Sequence, residues 1–280
     1  MSKKAIFSLY IEIPNNKFDL TDQKYHPTDI HNKSLKSQQA FKKYHNKLVS
    51  TKQQYATDVD ADFYFFEYGD DFKDWTDYVL SLQDMTLYNV INFYKFDRLR
   101  WLMDRGYDEV LYLDFDVICN TNLNFFDECD LSTIHIPTSP LYPELVGKML
   151  MNEGHLGFRA PEAKKLNTNL MLNEMGLGHQ QDSFNTGIFG MNKYVYDRLN
   201  YFEDFEYVVD MMCELKSDKT FPESVRQCLG FDNETVFGFR LTQRNMSFVD
   251  IDDDWHTLIK EQLRDFKFGH FLHKNFGLFL

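Results

Sequence analysis

The segment Tyr107-Asp-Glu-Val-Leu-Tyr-Leu-Asp-Phe-Asp-Val-Ile118 decides the fold of this chain, because an apolar run from Val110 to Leu113 leads directly into Asp114 and Asp116. A strand without polar alternation is typical of the centre of a parallel or mixed sheet, where both faces are buried. Ligands of such sheets bind outside the carboxyl ends of the strands. The segment therefore predicts a buried strand with a binding site at its end.

The two aspartates lie two positions apart, so in an extended segment both carboxylates point to the same side. Carboxylates held together repel each other unless a cation lies between them. Hard oxygen ligands suit Mg²⁺ or Mn²⁺, and two carboxylates leave coordination positions for the phosphates of a substrate. We predict that Asp114 and Asp116 bind a divalent metal; the alternative is that they cap an ordinary loop.

The first half of the chain alternates between strand and helix patterns. We predict, in order, a strand over residues 4–13, a polar loop over 15–36, a helix over 37–59, a strand over 62–67, a helix over 87–103 ending near Gly106, and the strand into Asp114. This alternation argues for an α/β sheet with right-handed crossovers.

The second half is more mixed. It predicts strands over 132–136, 186–191 and 248–251, a helix over 193–215, and a shorter element within 221–239. Because no Pro/Gly/Ser-rich linker and no internal repeat divides the chain, we expect one domain over 1–280.

Composition excludes several classes of protein. A hydrophobic fraction of 43%, with 27 Phe and 16 Tyr, indicates a globular chain, and a net charge of −13 would repel nucleic acid. No segment has the pattern of a signal peptide or the length of a membrane span. Four cysteines without zinc-like pairing look like reduced thiols. We expect a soluble, cytoplasmic protein.

Two further motifs point to a small-molecule site. In Phe184-Asn-Thr-Gly-Ile-Phe-Gly-Met-Asn192, Gly187 would let the backbone pass close to a ligand, and Asn185 can both donate and accept hydrogen bonds. In Phe268-Gly-His-Phe-Leu-His-Lys-Asn275, His270 is a candidate nitrogen ligand and Lys274 a candidate cation for phosphate. Read alone, the first motif is an ordinary turn into a strand, and His270 a core or surface histidine.

The order of these three motifs resembles a family. A strand ending in Leu-Tyr-Leu-Asp-x-Asp, then Asn-x-Gly before a strand, then a late His-Phe-Leu segment is similar to GT-A-fold glycosyltransferases, and within them to the retaining glycogenin and bacterial lipopolysaccharide galactosyltransferase group. The resemblance implies a Rossmann-like mixed central sheet flanked by helices. It also implies a nucleotide-binding half over about 1–118 and an acceptor-binding half over about 119–280.

The resemblance implies a role for several residues of the metal and donor site. Asp114, Asp116 and His270 would be the metal ligands for Mn²⁺ or Mg²⁺. Lys95 or Arg98, three residues apart on the helix before the Asp-x-Asp strand, would be the basic residue that contacts the donor, and the choice between them stays open.

Other positions follow from the same resemblance. Asn185 and Gly187 match the motif that contacts the donor sugar, and Tyr10 lies where it could stack on uracil. The segment Phe231-Asp-Asn-Glu-Thr235 resembles the late acidic-amide segment, so Asp232 would hold sugar hydroxyls and Asn233 would lie near the reacting carbon. Where the family has a glycine after His-Phe-Leu this chain has His273, and Lys274 comes earlier than the family's lysine.

The expected activity is transfer of a sugar from a nucleoside-diphosphate donor, a UDP-sugar, to a hydroxyl of a glycan acceptor. The resemblance favours retention; an inverting enzyme would need a carboxylate base, for which Asp232, Glu234, Asp182 and Glu174 are candidates. Residues 15–36 and 137–181, predicted as loops on the scaffold, would supply the acceptor side.

Two other classes of function remain open. A nucleotidyltransferase would carry a glycine-rich loop after the first strand, but residues 7–16 contain no glycine. A non-catalytic sugar-binding protein would not need the Asp-x-Asp pair together with the late histidine.

Overall fold

The computed structural model of this protein describes residues 2–12, 29–144 (backbone only for 29–36), 160–259 and 265–280. The strands, in chain order, are β1 (Lys4–Leu9), β2 (Asp62–Phe66), β3 (Glu109–Leu113), β4 (Val117–Cys119), β5 (Ile134–Ile136), β6 (Ile188–Asn192), β7 (Phe248–Asp250), β8 (Thr257–Ile259) and β9 (Phe268–Phe271). The helices are α1 (Asp29–Asp58), α2 (Asp70–Leu82), α3 (Leu87–Asp104), α4 (Phe125–Glu128), α5 (Pro161–Glu174), α6 (Lys193–Leu199), α7 (Phe205–Ser217), α8 (Glu223–Arg226) and α9 (Asn233–Gln243).

A six-stranded mixed sheet forms the centre of the fold, in the order β2-β1-β3-β6-β5-β7. β1 is parallel to both β2 and β3, whereas β6 is antiparallel to both β3 and β5. A second sheet has the order β4-β9-β8, with β4 antiparallel to β9. The predicted α/β fold with a mixed central sheet is confirmed.

β3 is buried on both faces, as its unbroken apolar sequence predicts. Val110 and Tyr112 belong to a hydrophobic cluster that includes residues of α3. Leu111 and Leu113 belong to a second cluster, on the opposite face, that includes Tyr55 of α1. Helices therefore pack against both faces of β3, and its carboxyl end remains the predicted position of the site.

The first half agrees with the sequence prediction except at three places. β1 ends at Leu9 rather than near residue 13, and residues 13–28 lie outside the described part of the chain. α1 begins at Asp29, within the stretch predicted as a polar loop. α2 was not predicted, although Phe72, Trp75 and Val79 follow helical spacing and are buried. The predicted end of α3 is confirmed, with Gly106 at φ 77°.

The single helix predicted over 193–215 is wrong, because two helices, α6 and α7, occupy this stretch. Asn200 and Asp204 adopt left-handed backbone conformations at φ 41° and 45°, which end one helix before the other begins. Asn and Asp tolerate this conformation better than most residues. Arg240 stabilises the break by donating from Nε to the carbonyl oxygen of Tyr201 (3.2 Å).

Strands β5, β6 and β7 lie within two residues of their predicted positions, whereas β4, β8 and β9 were not predicted as strands. Helices α8 and α9 occupy the shorter element predicted within 221–239, and α9 extends to Gln243. Residues 137–181, predicted as loops, contain the 14-residue helix α5; residues 145–159, including His155, lie outside the described part. Among the described residues, no helix is both long enough and apolar enough to span a membrane.

Candidate active site

The three predicted metal ligands come together through a tight turn and a strand register. The turn after β3 closes where the backbone N–H of Val117 donates to the carbonyl oxygen of Asp114 (3.0 Å). β4 then pairs with β9 so that Val117 lies opposite His270. As a result, His270 Nε2 lies 3.4 Å from Asp116 Oδ2.

The residues present fit a divalent cation. One ligand atom from each of Asp114, Asp116 and His270 lies within 4.8 Å of the others. Burial alone would raise the pKa of Asp116, but Lys274 and His270 hold it well below its usual value, so the carboxylate is charged. Two carboxylates and one imidazole are a ligand set that Mn²⁺ accepts.

Gly187 is the point where the backbone passes closest to this cluster. A Cβ atom at this position would lie 2.7 Å from His270 Cε1 and 3.0 Å from Asp114 Oδ2. The carbonyl oxygen of Gly187 accepts from the Asp114 N–H (2.7 Å), and its own N–H donates to Asn185 Oδ1 (2.9 Å). The motif therefore positions Asp114 while leaving room for a ligand.

Of the two basic candidates on α3, Lys95 lies at the cluster and Arg98 does not. Lys95 is buried, and its Nζ donates to Asp114 Oδ1 (3.3 Å) and to the carbonyl oxygen of Thr186 (3.2 Å). Arg98 instead pairs with Asp71 (2.6 Å) and Asp97 (2.5 Å). Three residues of helix turn the two side chains about 60° apart and separate them by about 4.5 Å along the axis.

Lys274 lies on the other side of the cluster, where its ammonium group pairs with Asp116. Its backbone is left-handed at φ 57°, in the turn that follows β9. Lys95 and Lys274 therefore place one cation beside each aspartate of the pair.

Asp232 and Asn233 form the start of α9. Asp232 Oδ1 accepts from the N–H groups of Glu234 (2.9 Å) and Thr235 (3.0 Å), and burial raises the pKa of Asp232. Asn233 Nδ2 donates to Thr186 Oγ1 (2.7 Å), which brings this segment next to the Asn185-Thr-Gly187 motif.

Glu234 and Lys164 are buried neighbours of this segment. Burial would raise the pKa of Glu234, but its ion pair with Lys164 lowers it. Glu234 Oε1 also accepts from the N–H of Thr186 (2.8 Å). Lys164 was missed by sequence reasoning because it lies on α5, in a stretch predicted as loop.

The other two candidate bases are Glu174 and Asp182. Glu174 lies ten residues, about 15 Å of helix, beyond Lys164 on α5. It lines a surface groove with Tyr207 and Asp218. Asp182 is partly exposed, and its backbone N–H donates to Gln180 Oε1 (3.1 Å).

Tyr10 lies beside the Asp114–Asp116 turn. Its ring stacks on Phe115 at 4.5 Å between centroids and 21° between planes, and it packs edge-on against Phe41. Its hydroxyl is buried without a hydrogen-bond partner among the described residues, and burial raises the pKa of Tyr10 to about 12. One face of the ring is thus covered by Phe115.

Two further side chains that contact the site were not predicted. Lys52 of α1 is fully buried and donates to the carbonyl oxygens of Phe115 (3.0 Å) and Val117 (2.6 Å), on either side of Asp116. His256 is also buried; its Nε2 lies 3.2 Å from His270 Nδ1, and burial lowers its pKa, so the ring is neutral at pH 7. Both roles depend on packing between distant segments.

No protein-family model matches this chain, and no curated protein matches it. Solved structures similar to it include a glycosyltransferase involved in the glycosylation of the major capsid of PBCV-1, at 13% identity and a TM-score of 0.48, over 99% of this chain and 100% of that one. The apo form of mouse xyloside xylosyltransferase 1 has 11% identity and a TM-score of 0.45, over 96% of this chain and 98% of that one.

The galactosyltransferase LgtC, in complex with donor and acceptor sugar analogues, has 11% identity and a TM-score of 0.43, over 96% of this chain and 87% of its own. All three are glycosyltransferases, the class that the sequence motifs resemble. Each TM-score lies below 0.5, so the function of this chain rests on the geometry of its own site.

Proposed function

We propose that this chain is a metal-dependent glycosyltransferase that moves a sugar from a UDP-sugar to a hydroxyl of a glycan acceptor, with retention. The observation that carries the proposal is the cluster of Asp114, Asp116 and His270 within 4.8 Å, with a lysine beside each aspartate. A site with paired carboxylates and flanking cations suits a metal-bound diphosphate.

Asp114, Asp116 and His270 would hold the ion, with Mn²⁺ preferred over Mg²⁺ because one ligand is an imidazole nitrogen. When bound, such an ion acts as a Lewis acid toward the phosphates of the donor. Lys95 and Lys274 place further positive charge where the leaving diphosphate gains negative charge. These two lysines offset the charges of Asp114 and Asp116, so a bound divalent ion would make the site locally positive inside a chain whose net charge is −13.

The donor's other groups have candidate partners on this chain. Tyr10 borders the site and is the candidate for the uracil ring. Asn185 and Gly187 border the cluster and are the candidates for contact with the donor sugar. Asp232 would hold sugar hydroxyls through Oδ2, because its Oδ1 caps α9. Asn233 would lie near the reacting carbon.

In the proposed reaction, the bond from the anomeric carbon to the diphosphate oxygen breaks, and its electron pair leaves with the diphosphate. The acceptor oxygen forms the new bond to that carbon and loses its proton. Under retention the departing phosphate oxygen takes this proton, so the protein needs no base. Glu234, a candidate base for an inverting reaction, is already engaged by an ion pair with Lys164 and a hydrogen bond from Thr186, which supports retention.

The test is a panel of nucleotide-sugars incubated with Mn²⁺ and scored for release of nucleoside diphosphate. We expect slow hydrolysis of one UDP-sugar, abolished by EDTA and reduced on the order of 10²-fold or more in Asp116→Asn. Asp127→Asn is the matched control, because Asp127 is exposed and pairs with Lys4 on the surface. ¹H NMR of the freed sugar before mutarotation reports the stereochemistry, and an inverted product would contradict retention.

Unchanged turnover in Asp116→Asn would contradict the proposed role of Asp116 as a metal ligand. If no donor is hydrolysed in the presence of a pool of glycan acceptors, the chain is a binding protein instead. Release of pyrophosphate from a nucleoside triphosphate and a sugar phosphate would indicate a nucleotidyltransferase.

A further inference from the structure

A chain of hydrogen-bonded side chains extends from His270 away from the metal cluster. Asp252 Oδ1 lies 2.8 Å from His256 Nδ1, and His256 Nε2 lies 3.2 Å from His270 Nδ1. The other ring nitrogen of His270, Nε2, faces Asp116 at 3.4 Å. We propose that Asp252 and His256 are positioning residues that hold His270 as the Nδ1–H tautomer and so keep its Nε2 lone pair available to the metal. This inference rests on the metal site of the proposed function.

The direction of the hydrogen bonds follows from the chemistry of each group. An ionised carboxylate only accepts, so Nδ1 of His256 carries the proton that is donated to Asp252. A His256 ring whose single N–H is at Nδ1 has an unprotonated Nε2, which can only accept, and this atom lies 3.2 Å from His270 Nδ1. His270 must therefore donate from Nδ1. A neutral imidazole protonated at Nδ1 has its lone pair at Nε2, the atom that faces Asp116.

The backbone holds this chain in place from both ends. The turn that carries Asp252 and His256 is closed by the N–H of His256 donating to the carbonyl oxygen of Ile251 (3.1 Å) and by the N–H of Asp253 donating to the carbonyl oxygen of His256 (2.9 Å). β8 follows this turn and runs parallel to β9, with Leu258 opposite His270. His270, on β9, and His256, in the residue before β8, are thus held side by side.

Burial makes the choice of tautomer depend on these partners. The side chain of His256 is only 1% exposed, so water does not compete for its Nε2. Without His256, the alternative tautomer of His270 would donate from Nε2 to Asp116, which would place a proton where the metal must bind. Partners behind metal-binding histidines commonly change metal affinity by 10–100-fold when they are removed.

The first test measures Mn²⁺ affinity without any substrate, from the electron paramagnetic resonance signal of free Mn²⁺. We expect His256→Phe to weaken Mn²⁺ binding roughly 10- to 100-fold. His256→Gln should retain most of the affinity, because the carboxamide oxygen can still accept from His270 Nδ1. His135→Phe is the matched control: His135 is also buried, in β5, and contacts the backbone of Thr133.

The second readout is the tautomer itself, from long-range ¹H–¹⁵N correlation spectra of histidine-labelled, metal-free protein at pH 8. We expect a protonated Nδ1 and an unprotonated Nε2 for His270. In Asp252→Asn the amide can donate to His256 Nδ1, which would reverse both tautomers and lower Mn²⁺ affinity. An amide in place of the carboxylate of a serine-protease triad has the same effect on its histidine.

The outcomes separate the two proposals. A wild-type protein that binds no Mn²⁺ would overturn the metal site of the proposed function. Tight binding by the wild type, with equal affinity in His256→Phe and Asp252→Asn, would overturn only the positioning role. If His256→Phe fails to fold, Asp252→Asn decides, since Asp252 lies at the surface end of the chain with its side chain 32% exposed.

Discussion

At the scale of single residues, Thr186 shows how an ordinary side chain connects two parts of a site. Its hydroxyl accepts from Asn233 Nδ2 (2.7 Å) and Lys95 Nζ (3.3 Å) and can donate to Glu234 Oε1 (3.3 Å). Each hydrogen-bonding position of the hydroxyl therefore has a partner. Through Thr186, the cluster around Asp114 is joined to the residues at the start of α9.

Gly187 gives the sharpest prediction at this scale. In Gly187→Ala the added methyl group would need the space of His270 and Asp114, and overpacking of this kind costs about 1–3 kcal/mol. Relieving this clash would displace His270 and Asp114, both metal ligands of the proposed site. Mn²⁺ affinity measured by titration calorimetry should therefore fall roughly tenfold or more. Gly178→Ala is the control, because nothing lies within 4 Å of an added Cβ there. Equal Mn²⁺ affinity in the two variants would contradict the close approach of the Gly187 backbone to His270 and Asp114.

At the scale of elements, α1 both packs against the central sheet and contacts the turn that carries Asp116. Lys52, on its buried face, donates to carbonyl oxygens on both sides of Asp116 and so fixes the turn between β3 and β4. The composition of this segment predicts a helix, but the pattern of one helix does not reveal which distant carbonyl groups a lysine will meet.

Lys52 makes stability depend on pH in a defined window. Burial lowers its pKa from 10.5 to about 8 in the folded chain. Between these values the unfolded chain binds more protons, so the free energy of unfolding rises with pH; below pH 8 the destabilisation is fully present. A pKa lowering of this size changes the free energy of unfolding by on the order of 3 kcal/mol across this pH window. We expect this rise to vanish in Lys52→Met, measured by urea unfolding from pH 7.5 to 10.5 with EDTA.

The comparison that isolates Lys52 is the difference between the two unfolding curves at each pH, since other titrating groups cancel. Lys73→Met, which removes an exposed lysine of α2, should follow the wild type throughout. Parallel curves for the wild type and Lys52→Met would rule out a lowered pKa at Lys52.

At the scale of the whole molecule, local sequence patterns predicted the strands of the central sheet but not those of the second sheet. They also predicted the position of the aspartate pair, because the apolar run of β3 leads directly into Asp114 and Asp116. The order of motifs, through a family resemblance, placed His270 beside them. Lys164 and His256 were missed because each gains its role from packing against a remote segment. Helix α2 was missed for a different reason, since its apolar residues alternate with acidic ones such as Asp74 and Asp77.

Two sheets supply the metal ligands, so the ion should stabilise the whole fold. Asp114 follows the central sheet, whereas His270 belongs to the second sheet. A ligand at 100 times its Kd that binds only the folded state adds about 2.7 kcal/mol. For a chain of 280 residues that raises Tm by about 5 °C. We expect this rise with Mn²⁺ in the wild type and in His135→Asn by differential scanning calorimetry, and none in His270→Asn. A full rise in His270→Asn would mean that the two sheets are not joined through this ion.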